Sequence, residues 1–164
     1  MRFLAHVWNS RPSFLETAGL AIIWGAVMPA SMIADYLLWR KMLPPGLWRL
    51  IEVFALGAFL AAPVALWFTR IIARKNRSSA FAAMFVMLSI GTMGLTALIF
   101  AFDFWLYFSQ WHGDVFSALW TNQFVFTFAA AIYQFFVSGV RLYLPFGLIA
   151  LLIASFWTSK RIMR

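Results

Sequence analysis

A short basic interval splits two long apolar runs and constrains everything around it. From Arg70 to Ser79 the chain places Arg70, Arg74, Lys75 and Arg77 with no acid among them. Cations that border apolar runs stay on the cytoplasmic side of a membrane. The interval therefore predicts a cytoplasmic turn between two membrane-spanning helices, and it fixes the sidedness of every other segment. Composition points the same way. The chain is 64% hydrophobic and 11% charged, with mean hydropathy +0.85, whereas a soluble domain carries about 25% charged residues. Too little polar side chain is left to coat a water-soluble globule, so lipid is the expected solvent. The fold class that follows is an all-α integral membrane protein, one polytopic domain over residues 1–164, with little chain left for a soluble catalytic domain.

The net charge of +8 would suggest nucleic acid in a soluble protein. Here the cations sit at the ends of apolar runs. That assigns them to topology and to anionic lipid head groups, and it argues against a nucleic-acid partner. The absence of cysteine excludes disulfides, thiolate metal sites and thiol redox chemistry. The first apolar run starts only after Ser13 and is too long for the core of a cleaved signal, so it is expected to be retained as the first helix.

Residues 1–12 mix Arg2, His6 and Arg11 with Phe3, Leu4, Val7 and Trp8, a pattern for a short interfacial helix or a frayed terminus. Ser13 and Glu16 have the spacing of a capping box, which makes Glu16 a helix-start residue rather than a proton carrier. The first helix is expected over about 14–40 and the second over about 46–70, with Pro44, Pro45 and Gly46 between them and Pro45 suited to the first helical position. Pro29 and Pro63 are expected to kink these helices. Ala21 with Gly25, and Gly57 with Ala61 and Ala65, form small-residue faces for close packing. Ser78 or Ser79 is expected to cap a third helix that runs to about 108, ending among Trp105, Tyr107, Phe108 and Trp111.

The stretch 117–139 is apolar enough to span, yet it carries a polar stripe. Gln123, Thr127, Gln134, Ser138 and Arg141 fall on one side of a helical projection. Four crossings (about 16–37, 48–69, 81–103 and 141–158) with both termini inside put nine cations inside and four outside, namely Arg40, Lys41, Arg49 and Arg141. Five crossings, adding 118–139, split them seven to six. The charge rule favours four. Residues 117–139 are then an amphipathic helix on the outer leaflet, or an extension of the last helix bent near Gly139 or Pro145. The expected location is the cytoplasmic (inner) membrane of a bacterium.

Three of the five carboxylates, Asp35, Glu52 and Asp103, fall at similar depth near the outer helix ends, with Arg40, Arg49 and His112 close by in sequence or turn. Ionisable groups at membrane depth are costly, so such a gathering is a candidate polar or ion cluster. The structural reading is an ordinary one: Arg49 and Glu52 at helical spacing form a surface pair, and Asp35 meets Arg40 or Lys41 at a helix end. Ser89, Thr92, Thr96 and Asp103 share a face of the third helix, and Ser31 and Asp35 share one on the first. That is either a polar track to a carboxylate or a set of hydroxyls bonded back to their own helices. His6 and His112 lie on opposite sides of the membrane and cannot share a metal, and no phosphate loop or nucleophile motif occurs. No metal or cofactor is expected. The leading reading is an accessory or assembly subunit that acts by helix packing, within a homo-oligomer or a larger membrane complex. The alternatives are a small oligomeric transporter or channel using Asp35 and Asp103, and a membrane enzyme acting on a lipid-linked substrate at the outer face with Arg40, Arg49 or Arg141 holding phosphate.

Overall fold

The computed structural model describes residues 10–73 and 76–162. The expected interfacial segment over residues 1–9 and the cations Arg74, Lys75 and Arg164 lie outside the described residues. The described residues are all-α, with five α-helices: α1 (Phe14–Asp35), α2 (Leu47–Ile72), α3 (Arg77–Phe108), α4 (Ala118–Gln134) and α5 (Phe146–Ile162). α1 widens into a π turn over Tyr36–Arg40. α4 does the same over Phe135–Gly139 and tightens into a 3-10 turn over Val140–Tyr143. Among the described residues, counting these extensions and the 3-10 turn Ser109–Trp111 that continues α3, four helices are long and apolar enough to cross a membrane: Phe14–Arg40, Leu47–Ile72, Arg77–Trp111 and Ala118–Tyr143. α5, with 17 residues, sits at the lower limit of length for a span.

The helix starts follow local chemistry. The capping box forms: Ser13 Oγ accepts from the Glu16 amide at 3.3 Å, and Glu16 Oε2 accepts from the Ser13 amide at 3.4 Å. Three expected starts shift. α3 begins at Arg77, because Asn76, rather than Ser78 or Ser79, caps it by accepting from the Ser78 amide. α2 begins at Leu47 rather than at Pro45, because Gly46 holds φ +77, a left-handed conformation that only glycine adopts freely. α5 begins at Phe146, after Pro145, later than the expected 141, because proline disfavours helix in the residue before it. Pro29 and Pro63 lie within continuous helices. Each lacks the amide that would bond four residues back, at Gly25 and Phe59. Those two residues meet where α1 crosses α2: a Cβ on Gly25 would stand 3.1 Å from Phe59 Cβ.

α1, α2, α3 and α5 close a ring, each packing on the next, and α4 lies outside it against α3. The core is the space inside this ring, where Met32, Ala58, Met84 and Leu88 are fully buried. One end of the ring gathers the start of α1, the end of α2, the start of α3 and the end of α5. There Arg70 reaches Glu16 at 2.6 Å, and the Arg77 guanidinium lies 5.3 Å from the Phe156 ring. Both described chain ends are therefore at the same end of the bundle. The other end holds Arg40, Lys41, Arg49 and the start of α4. α4 runs obliquely: Phe124 meets Trp105, whereas Tyr143 meets Thr96, so α4 uses twice as much chain as α3 to cover the same depth. It turns back in the half of the bundle away from the described chain ends, and α5 makes the return to the end where α1 starts.

Candidate functional site

The candidate site is the end of the bundle away from the chain ends. Sequence spacing brings six ionisable residues to this level, and the structure sorts them into separate pairs. Asp35 Oδ2 accepts from Arg40 Nε at 3.0 Å, and the Arg40 guanidinium lies over the Tyr36 ring at 5.0 Å. This contact spans five positions, which the π turn at the end of α1 brings onto one face. Asp35 is mostly covered, with 14% of its side chain exposed, while Arg40 keeps 44%. A second set joins α2 to α3. Arg49 Nε donates to Asp103 Oδ1 at 2.7 Å, its Nη2 contacts the same oxygen, and Nη1 stands 3.6 Å from Glu52 one helical turn on. Asp35 and Arg40 line one cleft, while Glu52 faces a separate groove between α1 and α2 beside Gly25 and Phe59.

His112 belongs to neither pair. Its Nε2 stands 3.4 Å from Thr127 Oγ1, and its Nδ1 is buried without a partner among the described residues. Gln123 Oε1 accepts from the Gly113 amide at 2.9 Å. This half of the polar stripe fastens α4 to the turn after α3. The other half faces the bundle end. Gln134 and Ser138 line a cavity of about 180 Å³ with Tyr36, Arg40, Phe54 and Phe135, so the π turns of α1 and α4 face each other across it. Arg141 lines a broader cleft of about 530 Å³ with Asp35, Trp39, Arg40, Leu144 and Pro145. Spacing alone assigns Arg141 to a stripe on α4. The fold joins it to Asp35 and Arg40, a grouping that becomes readable only once the α4–α5 junction is placed over the end of α1.

The serine and threonine track on α3 is consumed by packing. Ser89 Oγ donates to Phe85 O within its own helix. Thr92 Oγ1 accepts from Trp24 Nε1, and Thr96 Oγ1 accepts from the Tyr143 hydroxyl, both at 2.9 Å and buried. Ser31 lies buried under the α4–α5 junction, with Oγ 3.5 Å from Tyr143 O. Trp24 and Tyr143 have no distinguishing spacing in the sequence, since any indole or phenol in an apolar run reads as lipid contact. Below the cleft, these bonds border a second, apolar cavity of about 160 Å³ between α1, α3 and α5.

Among the described residues no group of three or more histidine, aspartate or glutamate side chains is placed to hold a metal ion. The arrangement offers ion pairing, guanidinium groups facing a cleft, and tight helix packing. No family model matches the chain, and no curated protein or solved structure is detectably similar to it.

Proposed function

We propose that the chain is a non-catalytic membrane subunit that acts by helix packing, as an accessory or assembly part of a larger membrane complex. In the bacterial cytoplasmic membrane both ends face the cytoplasm, and α4 lies against the outer half of the bundle. The gathering of Arg11, Arg70, Arg77, Lys160 and Arg161 at the end shared by both described termini supports this orientation.

The observation that carries the proposal is the face of α4. Within Ala118–Gln134 only Ala131 is buried, while Phe126 is 73% and Tyr133 71% exposed. A helix long enough to span, fastened at its start by Gln123 and at its end by Tyr143, thus presents its length to whatever surrounds the protein. The paired hydroxyls of Thr92 and Thr96 speak against the transport reading, because a solute path along α3 would have to break both bonds.

Site-specific photo-crosslinking in native membranes tests this. A photoreactive residue at Phe126 is expected to capture a larger membrane protein. The same probe at Ile22, exposed on α1, is expected to capture lipid. Lipid adducts alone at both positions, with nothing co-purifying in mild detergent, would overturn the proposal.

A further inference from the structure

We propose that the cleft at the outer end of α1 binds one membrane lipid with an anionic phosphate head group, seating a short segment of one hydrocarbon chain in the apolar cavity below. This goes beyond the packing role and does not depend on it. Three observations converge. The cleft faces Arg40 and Arg141, and only one carboxylate, Asp35, lies with them. Asp35 is bound to Arg40 at 3.0 Å, and Arg141 has no carboxylate partner among the described residues, so the cleft keeps one uncompensated positive charge. Trp39 forms one wall, its ring 5.7 Å from that of Phe146 across the α1–α5 gap. An indole at this level marks the head-group boundary.

Leu144 lines both spaces, so the charged cleft and the apolar cavity adjoin. The cavity holds about 160 Å³. An apolar cavity of about that size stays dry and accepts a hydrocarbon as large as a benzene ring. Its few polar lining atoms are already engaged: Trp24 with Thr92, Tyr143 with Thr96, and Ser89 with its own helix. Each of these polar side chains already has a partner within the fold, and the rest of the lining is apolar. Leu144 and Leu148, which line it, are also exposed on the outer surface, so a chain can enter sideways from the bilayer. Cation above, hydrocarbon below and a lateral opening together match an anionic amphiphile and no water-soluble ligand.

Native mass spectrometry of the full chain in mild detergent tests this, with phosphatidylglycerol, phosphatidylcholine and glycerol 3-phosphate as probes. Phosphatidylglycerol is expected to be retained about fivefold more than phosphatidylcholine, the preference worth one arginine at a membrane surface. Arg141→Gln is expected to abolish that preference and Arg141→Lys to restore it. Lys41→Gln, the same charge change outside the cleft, should leave it intact. Leu148→Trp, which fills the cavity mouth, is expected to lower retention of both lipids equally. Asp35→Asn, which removes the opposing charge, is expected to raise the preference and gives an independent reading should Arg141→Gln fold poorly. Equal retention of the two lipids by the native chain would overturn the proposal. So would competition by glycerol 3-phosphate at lipid concentrations, or an equal loss of preference in Lys41→Gln.

Discussion

α2 and α4 are both apolar enough to cross a membrane, with mean hydropathy 2.0 and 1.5 over their most apolar stretches, yet 44% of that stretch is buried in α2 and 11% in α4. In water the two would be buried alike, because burial follows apolarity. In lipid the surroundings are as apolar as the helix, and close approach of backbones decides instead. α2 has the residues for it: Gly57, Ala58, Ala61, Ala62 and Ala65 are buried in contact with its neighbours. α4 presents Phe124 and Phe128, which hold a neighbour at ring distance, as in the 5.5 Å contact of Phe124 with Trp105 and the 5.1 Å edge contact of Phe128 with Phe102. Side-chain size, not hydropathy, separates the bundle from the helix laid against it.

The sharpest way to break this contrast is at Gly57. A Cβ there would stand 2.2 Å from Thr96 Oγ1 and 2.7 Å from Thr96 Cα, and the second of these is backbone that cannot swing aside. Gly57→Val is expected to cost about 3 kcal/mol or more, read as loss of monodisperse protein and a lower unfolding midpoint in detergent. Ala130→Val, the same kind of enlargement on the exposed face of α4, is expected to change neither. Equal sensitivity at the two positions would mean that α4 is packed as tightly as α2.

The next effect belongs to the bonds that tie α3 to its neighbours. Thr96→Val is isosteric and removes the acceptor for the buried Tyr143 hydroxyl. It is expected to cost about 1 kcal/mol, the usual worth of such a bond between membrane helices. Thr92→Val, which strands the Trp24 indole, is expected to match it. Tyr143→Phe combined with Thr96→Val should recover most of the loss, because no donor is then left unpaired. A double variant as weak as the sum of the singles would place the stabilisation in packing instead.

Much of this was legible in the residues themselves. The capping box at Ser13 and Glu16, the Arg49–Glu52 pair and the meeting of Asp35 with Arg40 are local, set by spacing along one helix. The helix count and the class of protein follow from apolar runs and breakers. Three things were not legible. The Arg49–Asp103 pair joins residues far apart in sequence, and only the α2–α3 crossing brings them together. The grouping of Arg141 with Asp35 and Arg40 depends on where the α4–α5 junction comes to rest. Trp24 and Tyr143 act through one polar atom each on otherwise apolar rings, and hydropathy cannot distinguish such a ring from one that faces lipid.

A smaller effect of opposite sign is expected at Gly94. A Cβ there meets nothing within 4 Å, in contrast to Gly57 on the facing helix. Gly94→Ala is expected to stabilise the protein by about 0.5–1 kcal/mol by lowering the entropy lost on folding. A loss of stability at Gly94 in native membranes but not in detergent would reveal a neighbour seated against α3 there.

The smallest effect on stability is expected at Phe126. Its ring is 73% exposed and takes part in none of the aromatic contacts that hold α4 to α3, which run through Phe124 and Phe128. Removing it exchanges ring contact with lipid or detergent for more lipid or detergent, so the folded and unfolded states change alike. Phe126→Ala is expected to shift the unfolding midpoint of the isolated chain by less than about 0.5 kcal/mol equivalent. Phe128→Ala, two positions on, removes the edge contact with Phe102 and is expected to cost more. If α4 is a packing surface for a partner, the order reverses in the native membrane: Phe126→Ala lowers co-purification of that partner while Phe128→Ala lowers chiefly the stability of the chain itself. If Phe126→Ala proves silent in both settings, that face of α4 meets only lipid, and α4 and α2 differ in packing without differing in role.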